Sequence, residues 1–197
     1  MSLDQLLAFA VFALVTSITP GPNNVMLTAT GANVGIRRGL PHLFGVTIGF
    51  ALMIFLVAAG AGSALLENPM AMRVLRFLGV AVLLWLAWKI ATAARSGPAE
   101  RKRPIRFIEA AIFQWVNPKA WLICASAVGT FLQTDGSAAI TQAALFAAIF
   151  MFAGTPCMVV WLGFGAVMQR LLRSDRALRI FNIAMGVLLA ATVVVLI

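Results

Sequence analysis

Apolar residues fill this chain in long blocks, and short polar stretches divide the blocks at nearly regular intervals. Six apolar segments follow from that pattern, at about 5–30, 40–63, 72–94, 107–132, 139–168 and 178–197. Each is long enough to cross roughly 30 Å of hydrocarbon at about 1.5 Å per residue. The predicted fold class is therefore an all-α integral membrane protein of six transmembrane helices, forming one membrane domain over residues 1–197. The N-terminal "MSLDQLLAFA" carries an acid and no basic stretch, so it reads as a retained first helix rather than a signal peptide.

The dividers alternate in character. Arg37 and Arg38 follow the first segment, whereas Glu67, Asn68 and Pro69 follow the second. The third is followed by "RSGPAERKRPIR", the fourth by "QTDGS" with Asp135, and the fifth by Arg170, Arg173, Arg176 and Arg179. Basic loops stay cytoplasmic. Loops one, three and five then lie inside and both termini outside; only Arg73 and Arg76 fall on the other side, from where they can snorkel to the interface. Three spans on each side of a basic linker at 95–106 give half-repeats of about 1–95 and 106–197. An odd number of spans per half forces opposite orientations, the inverted 3+3 arrangement of many secondary transporters.

Composition narrows the class. The 197 residues are 62% hydrophobic and only 11% charged, against about 45–50% and about 25% in soluble domains. So few charges cannot build a water-facing surface. The net charge of +9 is explained by loops that orient the protein at an anionic membrane face, with no need for nucleic acid as a partner. Two cysteines, Cys124 and Cys157, both inside apolar stretches, make no disulfide framework.

Two segments are interrupted where a span should be continuous. The first carries "TPGPNN" at 19–24 and the fourth "QWVNPKAW" at 114–121. Each interruption lies roughly 15–20 Å from the end at which its span enters, near the bilayer midplane and at mirrored positions. Proline removes a backbone donor and collides with the preceding turn. In hydrocarbon the freed groups persist only where protein or a watered cavity satisfies them. Helix 1 and helix 4 are thus expected to be broken helices around a midplane site for a small zwitterion. Its candidate binding residues are Thr19, Pro20, Gly21, Pro22, Asn23 and Asn24 from the first half, and Gln114, Asn117, Pro118 and Lys119 from the second. A lysine at midspan is costly and marks function by default. No carboxylate sits at comparable depth, since Asp4, Glu67, Glu100, Asp135 and Asp175 lie at ends or in loops and Glu109 lies near an end of the fourth span. Lys119 is thereby a counter-charge for a ligand carboxylate.

Other signals have plainer readings. The spacings Gly45/Gly49 and Gly31/Gly35 read as close helix packing. Trp85 and Trp88 read as an interfacial belt, His42 as an interfacial residue at a span mouth, and Thr155-Pro156 as a kink beside the cavity.

"TPGPNN", "GANVGIRRGL", "GVTIGF", "LLWLAWKI" and "NPKAWL", in this order along the chain, resemble the LysE/RhtB family of amino-acid exporters. The resemblance implies six membrane helices in a bacterial inner membrane, export of an amino acid or derivative from the cytoplasm, coupling to the proton gradient and a homodimer, with no cofactor. "TPGPNN" and "WLAWKIAT" are most similar to the branch that exports cysteine and O-acetylserine. The lysine-exporting branch has an acid in its second helix, whereas "GVTIGFALMIF" at 45–55 has none. Without a buried carboxylate for a second ammonium, a neutral amino acid fits better than a cationic one. On this reading Lys119 and helix-terminal amides hold the carboxylate, and carbonyls around Pro20 to Pro22 with Asn23 or Asn24 hold the ammonium. Glu109 and Lys119 are the candidate proton carriers.

Rival classes fare worse. A thiol-redox carrier wants one cysteine in each half, and both lie in the second. One histidine and no buried acid leave a metal exporter without ligands. No nucleophile and base are paired for an enzyme. A passive channel would transport without coupling to a gradient.

Overall fold

The computed structural model describes residues 1–62, 67–93, 104–132, 139–172 and 174–194. Within them the chain is all helix, with no strand. Seven α-helices follow in order: α1 (Leu3–Ile18), α2 (Pro22–Leu56), α3 (Pro69–Ala91), α4 (Phe107–Val116), α5 (Pro118–Phe131), α6 (Ala139–Leu171) and α7 (Asp175–Val194). A π-helical turn, Val57–Ala61, extends α2. Most of the basic linker, Glu100, Asp135 and Arg173 lie outside the described residues.

Local chemistry sets the helix starts. Ser2 and Gln5 form a reciprocal cap on α1. The Asn68 side chain accepts from Met70 N at 3.0 Å and Ala71 N at 3.1 Å, with Pro69 in the first turn of α3, where its missing N–H costs nothing.

The segments do not all appear as continuous helices. Four helices are long and apolar enough to cross a membrane: Pro22–Ala61, Pro69–Ala91, Ala139–Leu171 and Asp175–Val194. The first and fourth predicted spans are each divided, into α1 with the start of α2 and into α4 with α5. The expected loop after the first span, with Arg37 and Arg38, is instead helical, and α2 passes through it as one run of 35 residues.

That run is not straight. Gly35 has φ 76°, a left-handed conformation in which a glycine has no side chain to collide. Thr30 Oγ1 and His42 Nδ1 lie 2.9 Å apart. Twelve residues of straight helix would hold them about 18 Å apart. The chain therefore turns back on itself at Gly35, and α2 is a hairpin of two legs, residues 22–34 and 36–56. This reversal also corrects two readings. Gly35 is the hinge of the hairpin rather than a packing residue, and His42 is fully buried beneath the first leg rather than interfacial.

Glycines let the hairpin pack backbone to backbone. A Cβ on Gly31 would strike Leu162 O of α6, and one on Gly165 of α6 would strike Thr28 O. On the second leg, a Cβ on Gly49 would sit 2.6 Å from Ala111 Cα, and one on Gly45 would sit 2.8 Å from Ala110 Cβ, which presses that leg against α4. Gly186 brings α7 equally near α3, 2.6 Å from Ala87 O to a built Cβ. Beside that contact Asn182 donates to Ala93 O at 2.8 Å and accepts from Asn33 Nδ2 at 3.0 Å, tying α7 to the hairpin.

An aromatic cluster fills one side of the interior. Phe9 of α1 stacks on Phe146 of α6 at 4.1 Å between centroids and meets Phe131 and Phe150 edge-on at 5.1 and 5.6 Å. Such pairs add about 0.5–1.5 kcal/mol beyond burial. Phe50 of the hairpin reaches Phe150 at 4.9 Å, so the cluster joins α1, α2, α5 and α6.

Candidate functional site

The first break begins where α1 ends. Thr19 is extended, and its Oγ1 and N–H both return to Val15 O. Beyond Gly21 the chain starts again as α2, with Pro22 in the first turn. The carbonyls of Ser17, Ile18, Thr19 and Pro20 are each met by a side-chain donor. Asn24 Nδ2 donates to Ser17 O at 3.0 Å, Thr19 O at 2.9 Å and Ile18 O at 3.4 Å. Trp161 Nε1 of α6 adds a bond to Ile18 O at 3.3 Å. Lys119 Nζ crosses from α5 to donate to Thr19 O at 2.8 Å and Pro20 O at 3.4 Å.

The second break is tighter. Asn117 ends α4 and caps α5, its Oδ1 accepting from Lys119 N at 3.1 Å. Pro118 starts α5 as Pro22 starts α2. Trp121 Nε1 returns to Trp115 O at 2.8 Å. Pro22 and Pro118 thus begin helices and do not kink the middle of one, each placed where its missing N–H has no intrahelical acceptor to lose.

One reciprocal amide pair joins the two breaks. Asn23 Nδ2 donates to Gln114 Oε1 at 2.8 Å, and Gln114 Nε2 donates back to Asn23 Oδ1 at 3.1 Å and to Ala110 O at 2.9 Å. Residues 91 positions apart in sequence are fastened side chain to side chain. Gln114 has no exposed surface, and Asn24 and Asn117 are only 3% and 2% exposed.

Beside these bonds lies a partly open cavity. Of the candidate residues, Gly21, Pro22, Asn23, Asn24, Asn117 and Lys119 line it. Thr19 and Pro20 contribute their carbonyls through Lys119, and Gln114 stands behind Asn23. Pro118 faces elsewhere, with its Cγ 2.9 Å from the position of a Cβ on Gly79 of α3. Glu109 is outside the cavity lining, where its carboxylate accepts from Arg106 N at 2.9 Å.

The rest of the wall was not visible in the motifs. Ser17 and Thr16 of α1, Thr47 and Phe50 of the hairpin, and Phe150, Gly154 and Met158 of α6 complete it. Thr47, a polar residue inside an apolar run, was the one hint; its hydroxyl donates to Leu43 O at 3.2 Å. Beside the Thr155-Pro156 pair it is Gly154 that lines the cavity, while Thr155 turns its hydroxyl to Met151 O at 2.6 Å.

The chemistry of this wall is lopsided. It presents one ammonium with the carbonyls that hold it, the three neutral amides of Asn23, Asn24 and Asn117, and the opening turn of α2, whose first N–H groups have no intrahelical acceptor. The described residues place no carboxylate against Lys119 and no cluster of three or more His, Cys, Asp or Glu able to hold a metal. Cys124 and Cys157 are free, buried and in separate core clusters.

Long apolar helices around a polar pocket built at two helix breaks define a membrane transport protein rather than an enzyme. The chain belongs to the LysE type translocator family, whose pattern it matches over residues 14–197. It is 32% identical over 191 residues to the cysteine/O-acetylserine efflux proteins of Escherichia coli strain K12 and of Shigella sonnei strain Ss046, covering 96% of this chain and 95% of each relative. No solved structure matches it.

Proposed function

We propose that this protein exports a neutral amino acid or derivative of the cysteine, O-acetylserine, threonine or homoserine type from the bacterial cytoplasm, in exchange for protons. The carrying observation is the cavity where the two breaks meet, which offers cationic and dipolar groups of both signs but no carboxylate. A ligand that is neutral overall, with one carboxylate and one ammonium, matches it. The ligand carboxylate lies against Lys119 and the first turn of α2, where the helix dipole favours an anion. Its ammonium meets carbonyls at the end of α1. A second ammonium would find no acid, which disfavours lysine. The name shared by the bacterial relatives supports the substrate class.

In the bilayer α1 with the first leg of α2 forms one broken span and α4 with α5 another, giving six spans in two inverted halves. Support comes from the parallel construction of the breaks, each a helix restart with proline in the first turn. Arg37 and Arg38 beside the hinge, and the basic linker, face the cytoplasm, which leaves both termini outside.

Inverted membrane vesicles given labelled cysteine, O-acetylserine, threonine, leucine or lysine test this directly. Uptake of at least one neutral amino acid is expected, stimulated by an acidic interior and lost in Lys119→Ala. Uptake of lysine alone, or of none, overturns the substrate class; uptake indifferent to the gradient makes the protein a channel.

A further inference from the structure

Lys119 is placed where a cation gains nothing from its own helix. It is in the first turn of α5, the positive end of the dipole, where an ammonium is disfavoured. What holds it there comes from the other half of the chain. Its Nζ donates to Thr19 O at 2.8 Å and Pro20 O at 3.4 Å, at the negative end of α1. Its stem lies across Gly21 so closely that a Cβ there would fall 2.8 Å from Lys119 Cδ and 2.9 Å from Nζ. Glycine at that position leaves room for the lysine, since the backbone is extended, with φ −175°, and any residue could adopt it.

Carbonyl oxygens only accept and an ammonium only donates. The two carbonyls already hold an ammonium on the cavity wall, that of Lys119, and such a pair takes any primary ammonium, whichever molecule carries it. We infer that the Thr19 and Pro20 carbonyls are the ammonium subsite for the substrate, that Lys119 fills this subsite itself when no substrate is present, and that Lys119 thereby selects amino acids against the matching amines. This inference rests on the exporter reading.

The selection follows from charge. An amine arriving alone must evict Lys119, which would then be a half-buried ammonium with neither carbonyl nor carboxylate, a costly state. An amino acid brings a carboxylate along with its ammonium. Lys119 swings on its flexible four-carbon stem from carbonyls to carboxylate, and the ligand ammonium takes the vacated oxygens. One ammonium replaces another, so neither the carbonyls nor the lysine goes unpaired. Asn24, which also donates to Thr19 O at 2.9 Å, keeps that oxygen in place through the exchange.

Calorimetric titration of the purified protein with matched pairs tests the inference: cysteine against cysteamine, and threonine against 1-aminopropan-2-ol. The wild type is expected to bind an amino acid at least about tenfold more tightly than its amine, a factor worth about 1.4 kcal/mol. In Lys119→Met the amine gains at least about tenfold and the amino acid weakens, because the carbonyls stand open and the carboxylate has lost its partner. Gly21→Ala keeps the charge but pushes the lysine stem aside, so it too gains amine binding. Thermal melts confirm that each variant is folded; if Lys119→Met is not, Gly21→Ala decides. The inference is overturned if the wild type binds an amino acid and its amine equally, or if the folded variants bind the amine no better than the wild type does. A wild type that binds neither member of any pair, and takes up none in vesicles, would instead remove the exporter reading on which the inference stands.

Discussion

Three backbone carbonyls at the end of α1 converge on one side-chain amide, that of Asn24. A buried acceptor left without a donor costs about 1–3 kcal/mol. Asn24→Ala is therefore expected to destabilise the protein by about 1–3 kcal/mol, read as a lower melting temperature in detergent. Asn24→Asp, nearly the same shape but with no donor, should melt at least as early; wild-type melting in both would show that the amide is dispensable. At this scale the sequence was informative. Asparagines beside prolines in an apolar run have few structural reasons to exist, and Asn23, Asn24 and Asn117 all reach the cavity. Thr16, Ser17 and Gly154 were not legible, because such residues are common in membrane helices and only the folded packing turns them toward one another. The partner of Lys119 was hidden for a related reason. Carbonyls belong to every residue, and no letter in the sequence marks which ones a lysine a hundred positions away will reach.

The elements were legible where their ends carry distinctive residues. Pro22 and Pro118 mark helix restarts, and both restarts are found. The reversal inside α2 was not, since "GANVGIRRGL" offers glycines at 31, 35 and 39 and composition does not say which of them takes a positive φ. Gly35 does, at 76°, while Gly31 and Gly39 stay helical against Leu162. With ψ at 179° this is a backbone region that is essentially glycine's alone, and holding another residue there costs roughly 1–3 kcal/mol. A Cβ at Gly35 would also lie 3.2 Å from Gln169 Oε1. Gly35→Ala should thus lower stability by at least about 1 kcal/mol, with faster hydrogen exchange at the hinge amides. Exchange and melting like those of the wild type would mean that the hairpin does not need its glycine.

At the scale of the whole molecule, charge and packing make separate demands. The distribution of arginine and lysine orients the chain, and a periplasmic-active phosphatase fused after residue 197 should be active, while one fused within the linker at 95–106 should be silent. The reverse pattern would invert the proposed orientation. Packing across the halves depends instead on reciprocal contacts, Asn23 with Gln114 and Lys119 with the end of α1, which neither half can make alone. The broken helices carry this further, into how the protein is made. Sixteen residues of α1 span about 24 Å, ten of α4 about 15 Å and fourteen of α5 about 21 Å, each short of roughly 30 Å of hydrocarbon. A ribosome-bound insertion channel that releases helices into lipid one by one meets no complete span in any of these pieces. The break of the first half is completed only when Gln114 and Lys119 of the second have been synthesised. Synthesis halted in the linker should leave a fragment that is degraded, whereas the two halves produced together as separate chains should protect each other.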